Sequence, residues 1–256
     1  MAQILRSAKP GSDWTANELD AYHITVVSQN KQQFFGVPDL PAPARPSLVG
    51  FLTTEDRQNA ADDDTRRLLH YLDLALDPKV GQESAVDNLA AKLLEKLGYD
   101  DGGRIIFVRR ALPLLICGVA SLAQTDICVM DDNEILLLVQ EDKRLTSLKD
   151  PEAQVIAEAI AAFAVNNKVR VTSLNLPPLA VATIPAITMV GTYPIFYKIT
   201  VTAQLSTAVQ QGTYPEAETR VLRYIPILPR RQSQGMRPLE NRAEILACLE
   251  AFKQFL

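Results

Sequence analysis

The sequence contains few of the residues, and none of the motifs, on which the commonest catalytic sites depend. It has two histidines and three cysteines without C-x-x-C spacing, so zinc sites and histidine-based triads have little to draw on. It also lacks the G-x-S-x-G, P-loop and G-x-G-x-x-G patterns. These absences exclude the commonest motif-bearing hydrolases, nucleotide hydrolases and dinucleotide enzymes.

Long hydrophobic runs are absent as well. No apolar stretch approaches the roughly 20 residues of a membrane span, and the first residues, MAQILRSAKPGSDW, contain no stretch of secretory-signal length. The cysteines lie in apolar surroundings, as reduced thiols in a core do. We therefore expect an intracellular protein of the nucleus or cytoplasm, without a membrane partner.

Charge is distributed unevenly along the 256 residues. The formal net charge of −4 argues weakly against a protein coated in nucleic acid. Residues 55–77 contain seven acidic residues and three arginines, whereas residues 220–242 contain six arginines and one glutamate. The arginine-rich segment could bind phosphates although the whole chain is acidic.

The first part of the chain is predicted to be an accessory region, residues 1–80. It contains a strand candidate, HITVV, a proline-rich segment, GVPDLPAPARP, and a helix candidate, DDDTRRLLHYLDLAL, with acids at its start and leucines on one face. Residues 81–256 have the pattern of an α/β domain. Its first helix, ESAVDNLAAKLLEKLGY, has apolar residues three and four apart and a glycine at its end.

Strand candidates follow that helix. RIIFV, LLICGV, DICVM and EILLLVQ are predicted as four short strands, with the turn at 131–134 joining the last two into a hairpin. A second helix is predicted from Asp150 and Pro151, then one or two strands in AITMVGTYPIFYKITVT, and a closing helix. The predicted fold is a central mixed β-sheet flanked by helices, with a C-terminal helix.

A group of charged residues stands at the end of the last hairpin strand. Residues two apart in a strand point to the same face, so Glu141 and Lys143 project together. Asp126 lies on the neighbouring hairpin strand, but the sequence does not fix the register between the two strands. If Asp126 and Glu141 converge, their oxygens form a site of the kind that Mg²⁺ prefers, and Lys143 stands beside it.

The segment TDICVMDDNEILLLVQEDK resembles the D…(D/E)-x-K signature of the PD-(D/E)XK nucleases, the restriction-endonuclease-like superfamily. Asp126 matches the acid, and residues 141–143 match E-x-K. The proline of the signature is missing, because Thr125 precedes Asp126. In that superfamily the preceding helix bears a glutamate and the following helix often bears a glutamine, which match Glu83 and Gln154.

This resemblance covers about residues 82–202 and implies a metal-dependent nuclease that uses Mg²⁺ or Mn²⁺ on DNA or RNA. It implies that Asp126, Glu141 and the backbone carbonyl of Asp142 hold the metal, completed by Glu83. It also implies that Lys143 positions the attacking water and Gln154 orients the lysine or a phosphate. The whole chain further resembles a group of uncharacterised fungal proteins, from which no activity follows.

Four cations, two that follow the motif and two in the arginine-rich segment 220–242, complete the predicted site. Substrate binding is assigned to Arg144, Lys149, Arg230 and Arg231, and a homodimer is left open.

Each assignment has a simpler alternative. Glu141 and Lys143 could form a strand-end ion pair, and Asp126 could cap a turn. Glu83 could be an ordinary first-turn acid, with Asp87 as its rival, and Gln154 a solvated residue. The arginines of 220–242 could be surface residues or partners of the acidic region 55–77. The alternative function is an inactive binding or interaction protein on a nuclease-derived scaffold.

Overall fold

The computed structural model describes residues 6–77, 84–141 and 150–256. Within these residues the protein is an α/β structure with a seven-stranded mixed sheet. The strands are β1 (Ile24–Ser28), β2 (Ile105–Ile116), β3 (Val119–Met130), β4 (Ile135–Glu141), β5 (Val181–Val190), β6 (Tyr193–Thr202) and β7 (Thr219–Tyr224). Their order in the sheet is β1-β7-β6-β5-β4-β3-β2.

Helices cover both faces of the sheet. The described α-helices are α1 (Ala16–Ala21), α2 (Lys31–Phe35), α3 (Pro46–Thr53), α4 (Asp63–Leu76), α5 (Ala85–Leu97), α6 (Pro151–Thr172), α7 (Ala203–Gln211) and α8 (Leu239–Phe252). One core contains α3, α4, α5 and α8, and a second core contains α6 and α7. Along β4, Leu137 and Val139 belong to the first core and Leu138 to the second. Burial on both faces explains why this strand reads as a continuous apolar run.

Local signals in the sequence predicted α4, α5, α6 and α8 and strands in the regions of β1 to β6, whereas α1, α2, α3, α7 and β7 were not predicted. The α5 helix ends at Gly98 in a left-handed conformation, and α6 begins after Asp150, whose side chain accepts from the backbone N–H groups of Glu152 and Ala153. The 131–134 turn joins β3 to β4 as an antiparallel hairpin. The β4 and β5 strands are parallel, with α6 as the connection between them.

The prediction of four short strands was wrong, because β2 and β3 are each twelve residues long. Most of RIIFV and the start of LLICGV belong to the single strand β2, which continues past Arg109 (φ +56°) without a shift of register against β3, and through Pro113. A proline is tolerated there because β2 is an edge strand. The turn between β2 and β3 is formed by Cys117 and Gly118, which both have positive φ.

Residues 6–77, the described part of the predicted accessory region 1–80, contribute to the same sheet and core as the later described residues. Their strand β1 pairs in parallel with β7, and α3 and α4 pack in the first core with α5. Arg242 of α8 is fully buried and donates to the carbonyl groups of Phe51 and Thr54. Arg242 therefore joins α8 to the end of α3 through hydrogen bonds. Because it is buried there, it is not available to bind a phosphate.

Candidate metal centre

The carboxylate of Asp126 lies where β3 and β4 stop pairing. The last paired residues at this end are Ile127 and Val139. One step beyond them, Asp126 Oδ2 accepts hydrogen bonds from the Glu141 backbone N–H at 2.9 Å and from Gln140 Nε2 at 2.6 Å. The expectation that Asp126 starts its strand was wrong, because β3 begins at Val119. Asp126 therefore has a structural role: its carboxylate binds the last backbone N–H of β4, at Glu141, and does not cap a turn.

Asp126, Glu141 and Asp87 form one cluster of carboxylates. Each offers an oxygen atom, and these three atoms all lie within 4.8 Å of one another. Asp87 comes from the first turn of α5, and it is 4% exposed, while Asp126 is 7% exposed. The sequence did not show whether Asp126 and Glu141 meet, because it does not fix the register of β3 against β4. In the structure their carboxylates belong to one cluster.

Several residues assigned from the sequence lie outside the described residues. These are Glu83, Asp142, Lys143, Arg144 and Lys149. The predicted helix was expected to contribute Glu83 to the metal site. The structure places Asp87 of the same helix, the alternative named in the sequence analysis, in the carboxylate cluster. Asp87 lies on the same face of α5 as the buried residues Ala90 and Leu94, three and seven residues later. A carboxylate on the apolar face of a helix was the signal in the sequence that pointed to Asp87.

The donor set fits a hard divalent cation. Magnesium and manganese take oxygen ligands, and Mg²⁺ is commonly held by a few carboxylates with water and substrate in the remaining positions. Oxygens bound to one Mg²⁺ are separated by about 3 to 4 Å, so small side-chain movements would close the cluster of Asp87, Asp126 and Glu141 on an ion. Buried carboxylates that lie this close repel one another, and a cation offsets that repulsion.

A second pair of polar residues lies beside the cluster on α6. Gln154 is 7% exposed, so the alternative of a solvated residue was wrong, and its Nε2 donates to Glu158 Oε1 at 3.2 Å. Glu158 is fully buried, and its Oε2 has no hydrogen-bond partner among the described residues. Burial raises the pKa of Glu158 well above its ordinary value, and the nearby charge of Asp126 raises it further.

The hydrogen bond from Gln154 and the nearby hydroxyl of Thr125 offset only part of that rise in the pKa of Glu158. The sequence analysis missed Glu158. The signal was available, because Glu158 lies four residues after Gln154 and inside the helical segment whose apolar residues face the core.

Two of the three carboxylates, Asp126 and Glu141, line a cavity of about 320 Å³. Its polar lining comes from β3, β4 and α6, and Pro10 and Ser12 form another wall. The lining residues are Pro10, Ser12, Leu122, Gln124, Asp126, Gln140, Glu141, Pro151 and Gln154. A polar group that enters the cavity therefore meets two of the three clustered carboxylates and Gln154.

The segment of Arg230 and Arg231 lies at the same end of the sheet. Glu141 of β4 is paired with Met189 of β5, and the turn that follows β5 contains Thr192. Thr192 Oγ1 accepts from the backbone N–H of Met236, which anchors the segment at that turn. Arg231 is exposed.

Within the described residues, three arginines of 220–242 form ion pairs, and none of these pairs is with the acidic region 55–77. Arg220 pairs with Glu218, Arg223 with Glu152, and Arg230 with Glu240.

No protein-family model matches the chain, and no curated protein matches it. Among residues 6–77, 84–141 and 150–256, none of the helices combines the length and the apolar character that crossing a bilayer requires.

Proposed function

We propose that the protein is a metal-dependent nuclease with a restriction-endonuclease-like core, which hydrolyses phosphodiester bonds of DNA or RNA. The observation that supports this proposal best is the convergence of Asp87, Asp126 and Glu141, with ligand atoms within 4.8 Å of one another, beside a polar cavity that Asp126 and Glu141 line. The D…E-x-K spacing of residues 126–143 is the second support.

The roles of the residues follow from their positions. Asp126 and Glu141 would hold Mg²⁺ or Mn²⁺, with Asp87 in the place assigned to Glu83 from the sequence. Bound there, the cation would supply a Lewis acid that neutralises the charge developing on the phosphate. Lys143 would position the attacking water and withdraw its proton, and Gln154, held by Glu158, would orient a phosphate oxygen. The products would be a 5′-phosphate and a 3′-hydroxyl.

The metal centre is tested by calorimetric titration of Mn²⁺ and Mg²⁺ into protein stripped of metal. We expect one Mn²⁺ to bind to the wild type, and we expect Asp126→Asn to abolish that binding because a carboxylate ligand becomes a neutral amide. Asp132→Asn is the matched control, since Asp132 is an exposed aspartate at the opposite end of the same hairpin. Equal binding by the Asp126 variant and the wild type would refute the site.

Arg230 and Arg231 are tested through the salt dependence of nucleic-acid binding. If both contact phosphates, the Arg230→Gln/Arg231→Gln variant should bind every sequence more weakly and lose a salt slope of about 0.7 to 0.9 per lost contact. The ion pair of Arg230 with Glu240 leaves Arg231 as the stronger contributor. An unchanged slope in filter binding between 50 and 200 mM salt would contradict the assignment.

A second candidate, an interaction protein on a nuclease-derived scaffold, is favoured by the charges. The net charge is −4, and three of the six arginines in 220–242 are paired with carboxylates. Cleavage assays on single- and double-stranded DNA and RNA with Mg²⁺ and Mn²⁺ separate the two candidates. Metal binding without cleavage or nucleic-acid affinity would favour the interaction protein.

A further inference from the structure

Gln140 is a buried amide in a strand that is otherwise apolar up to Glu141. It follows five apolar residues, Ile135–Val139, and it is 3% exposed. Burying an amide without hydrogen bonds is unfavourable, and an apolar residue would continue the pattern of β4 at no such cost. The amide of Gln140 therefore needs a specific set of partners.

The donor end of this amide is fixed by two acceptors. Nε2 donates to Asp126 Oδ2 at 2.6 Å and lies 3.4 Å from the Glu141 carbonyl oxygen. Because neither of these oxygens can donate while Asp126 is ionised, the amide cannot be flipped without losing both contacts. The orientation of Gln140 is thus set by the carboxylate of the metal centre.

The acceptor end of the amide has no partner among the described residues. Gln140 Oε1 is buried and makes no hydrogen bond within the part of the chain that the structure describes. Gln140 also lines the cavity onto which Asp126 and Glu141 open. A buried carbonyl oxygen beside a polar cavity is suited to accept a hydrogen bond from a group that enters with the ligand.

We infer that Gln140 is a positioning residue of the metal centre, in which Nε2 holds the Asp126 carboxylate and Oε1 accepts from a water ligand of the bound cation. This inference rests on the proposed function. Residues that hydrogen-bond to metal ligands fix the orientation of those ligands, and their loss typically lowers metal affinity. The backbone N–H of Glu141 shares Oδ2 with Gln140 but cannot supply the acceptor.

The decisive variant is Gln140→Met, because methionine has a similar length and no branching but neither the donor nor the acceptor. We expect Mn²⁺ affinity, measured calorimetrically on the full chain, to fall by roughly 10- to 100-fold. The electron paramagnetic resonance spectrum of bound Mn²⁺ should also change, because the water ligand loses its acceptor. Gln210→Met is the matched control, since Gln210 lies on α7 and bonds to Ser206.

Each outcome decides the inference. Weaker Mn²⁺ binding and an altered spectrum in Gln140→Met, with Gln210→Met unchanged, would support it. Wild-type affinity and spectrum in Gln140→Met would overturn it and leave the metal centre standing. Absence of Mn²⁺ binding by the wild type would overturn both the metal centre and the inference. If melting shows that Gln140→Met does not fold, the same criteria apply to Gln140→Leu, which also lacks the donor and the acceptor and continues the apolar pattern of β4.

Discussion

Glu141→Gln should lower metal-dependent cleavage by roughly a thousandfold, the loss seen when one group that stabilises the developing charge is removed. The substitution keeps the size of the side chain and removes one of the three carboxylates that converge at the end of β4. Initial rates on a labelled substrate with saturating Mn²⁺ measure the effect. The exposed Glu216→Gln variant is the matched control, because it makes the same chemical change outside the cluster.

A companion variant separates metal binding from the proton transfer assigned to Lys143. Lys143→Ala should lose cleavage but retain Mn²⁺ and nucleic-acid binding, because its role is felt mainly in the transition state. Glu141→Gln should instead lose Mn²⁺ affinity as well. Cleavage at wild-type rates by Glu141→Gln would show that the carboxylate cluster is not the catalytic site of the protein.

Glu158→Gln should stabilise the metal-free protein at neutral and alkaline pH. The pKa of Glu158 is raised well above 4.5 by burial in the folded state. The folded protein therefore keeps a proton that the unfolded chain releases above about pH 4.5, and its free energy of unfolding falls as the pH rises toward the folded pKa. In that range the loss approaches about 1.4 kcal/mol per pH unit.

Urea unfolding of wild type and Glu158→Gln in EDTA between pH 4 and pH 8 measures this difference. The two proteins should have similar stability near pH 4, where the glutamate is protonated in both states, and the variant should be more stable by a margin that grows with pH. A margin that does not change with pH would show that Glu158 is ionised in the folded protein. Glu95→Gln, an exposed change on α5, should show no such trend.

The four helices predicted from the sequence, α4, α5, α6 and α8, were predictable because their signals are local. The capping residues Asp150 and Gly98 and the apolar periodicity of α4 and α5 act within a few residues. The lengths of β2 and β3 were less predictable. Arg109, Arg110 and Pro113 interrupt the apolar pattern of β2, but pairing with β3 and packing against α6 and α7 keep the strand extended.

The candidate site was predictable only in part for a different reason. Glu141 and Asp126 were selected from their spacing, but their meeting depends on the register of β3 against β4, which begins to pair at Ile127 and Val139. Asp87 reaches the same point because α5 packs on the face of the sheet that carries Val139. Contacts between elements distant in the sequence cannot be read from local pattern.

By itself, the sequence determined the helices α4, α5, α6 and α8, the turn at 131–134, and the carboxylates at the end of an apolar strand, because propensity, capping and periodicity are properties of neighbouring residues. Only the tertiary structure decided that Asp87 joins Asp126 and Glu141, that Gln140 holds Asp126, and that Arg242 is buried. These outcomes depend on strand register and helix packing, which are fixed when the whole core forms.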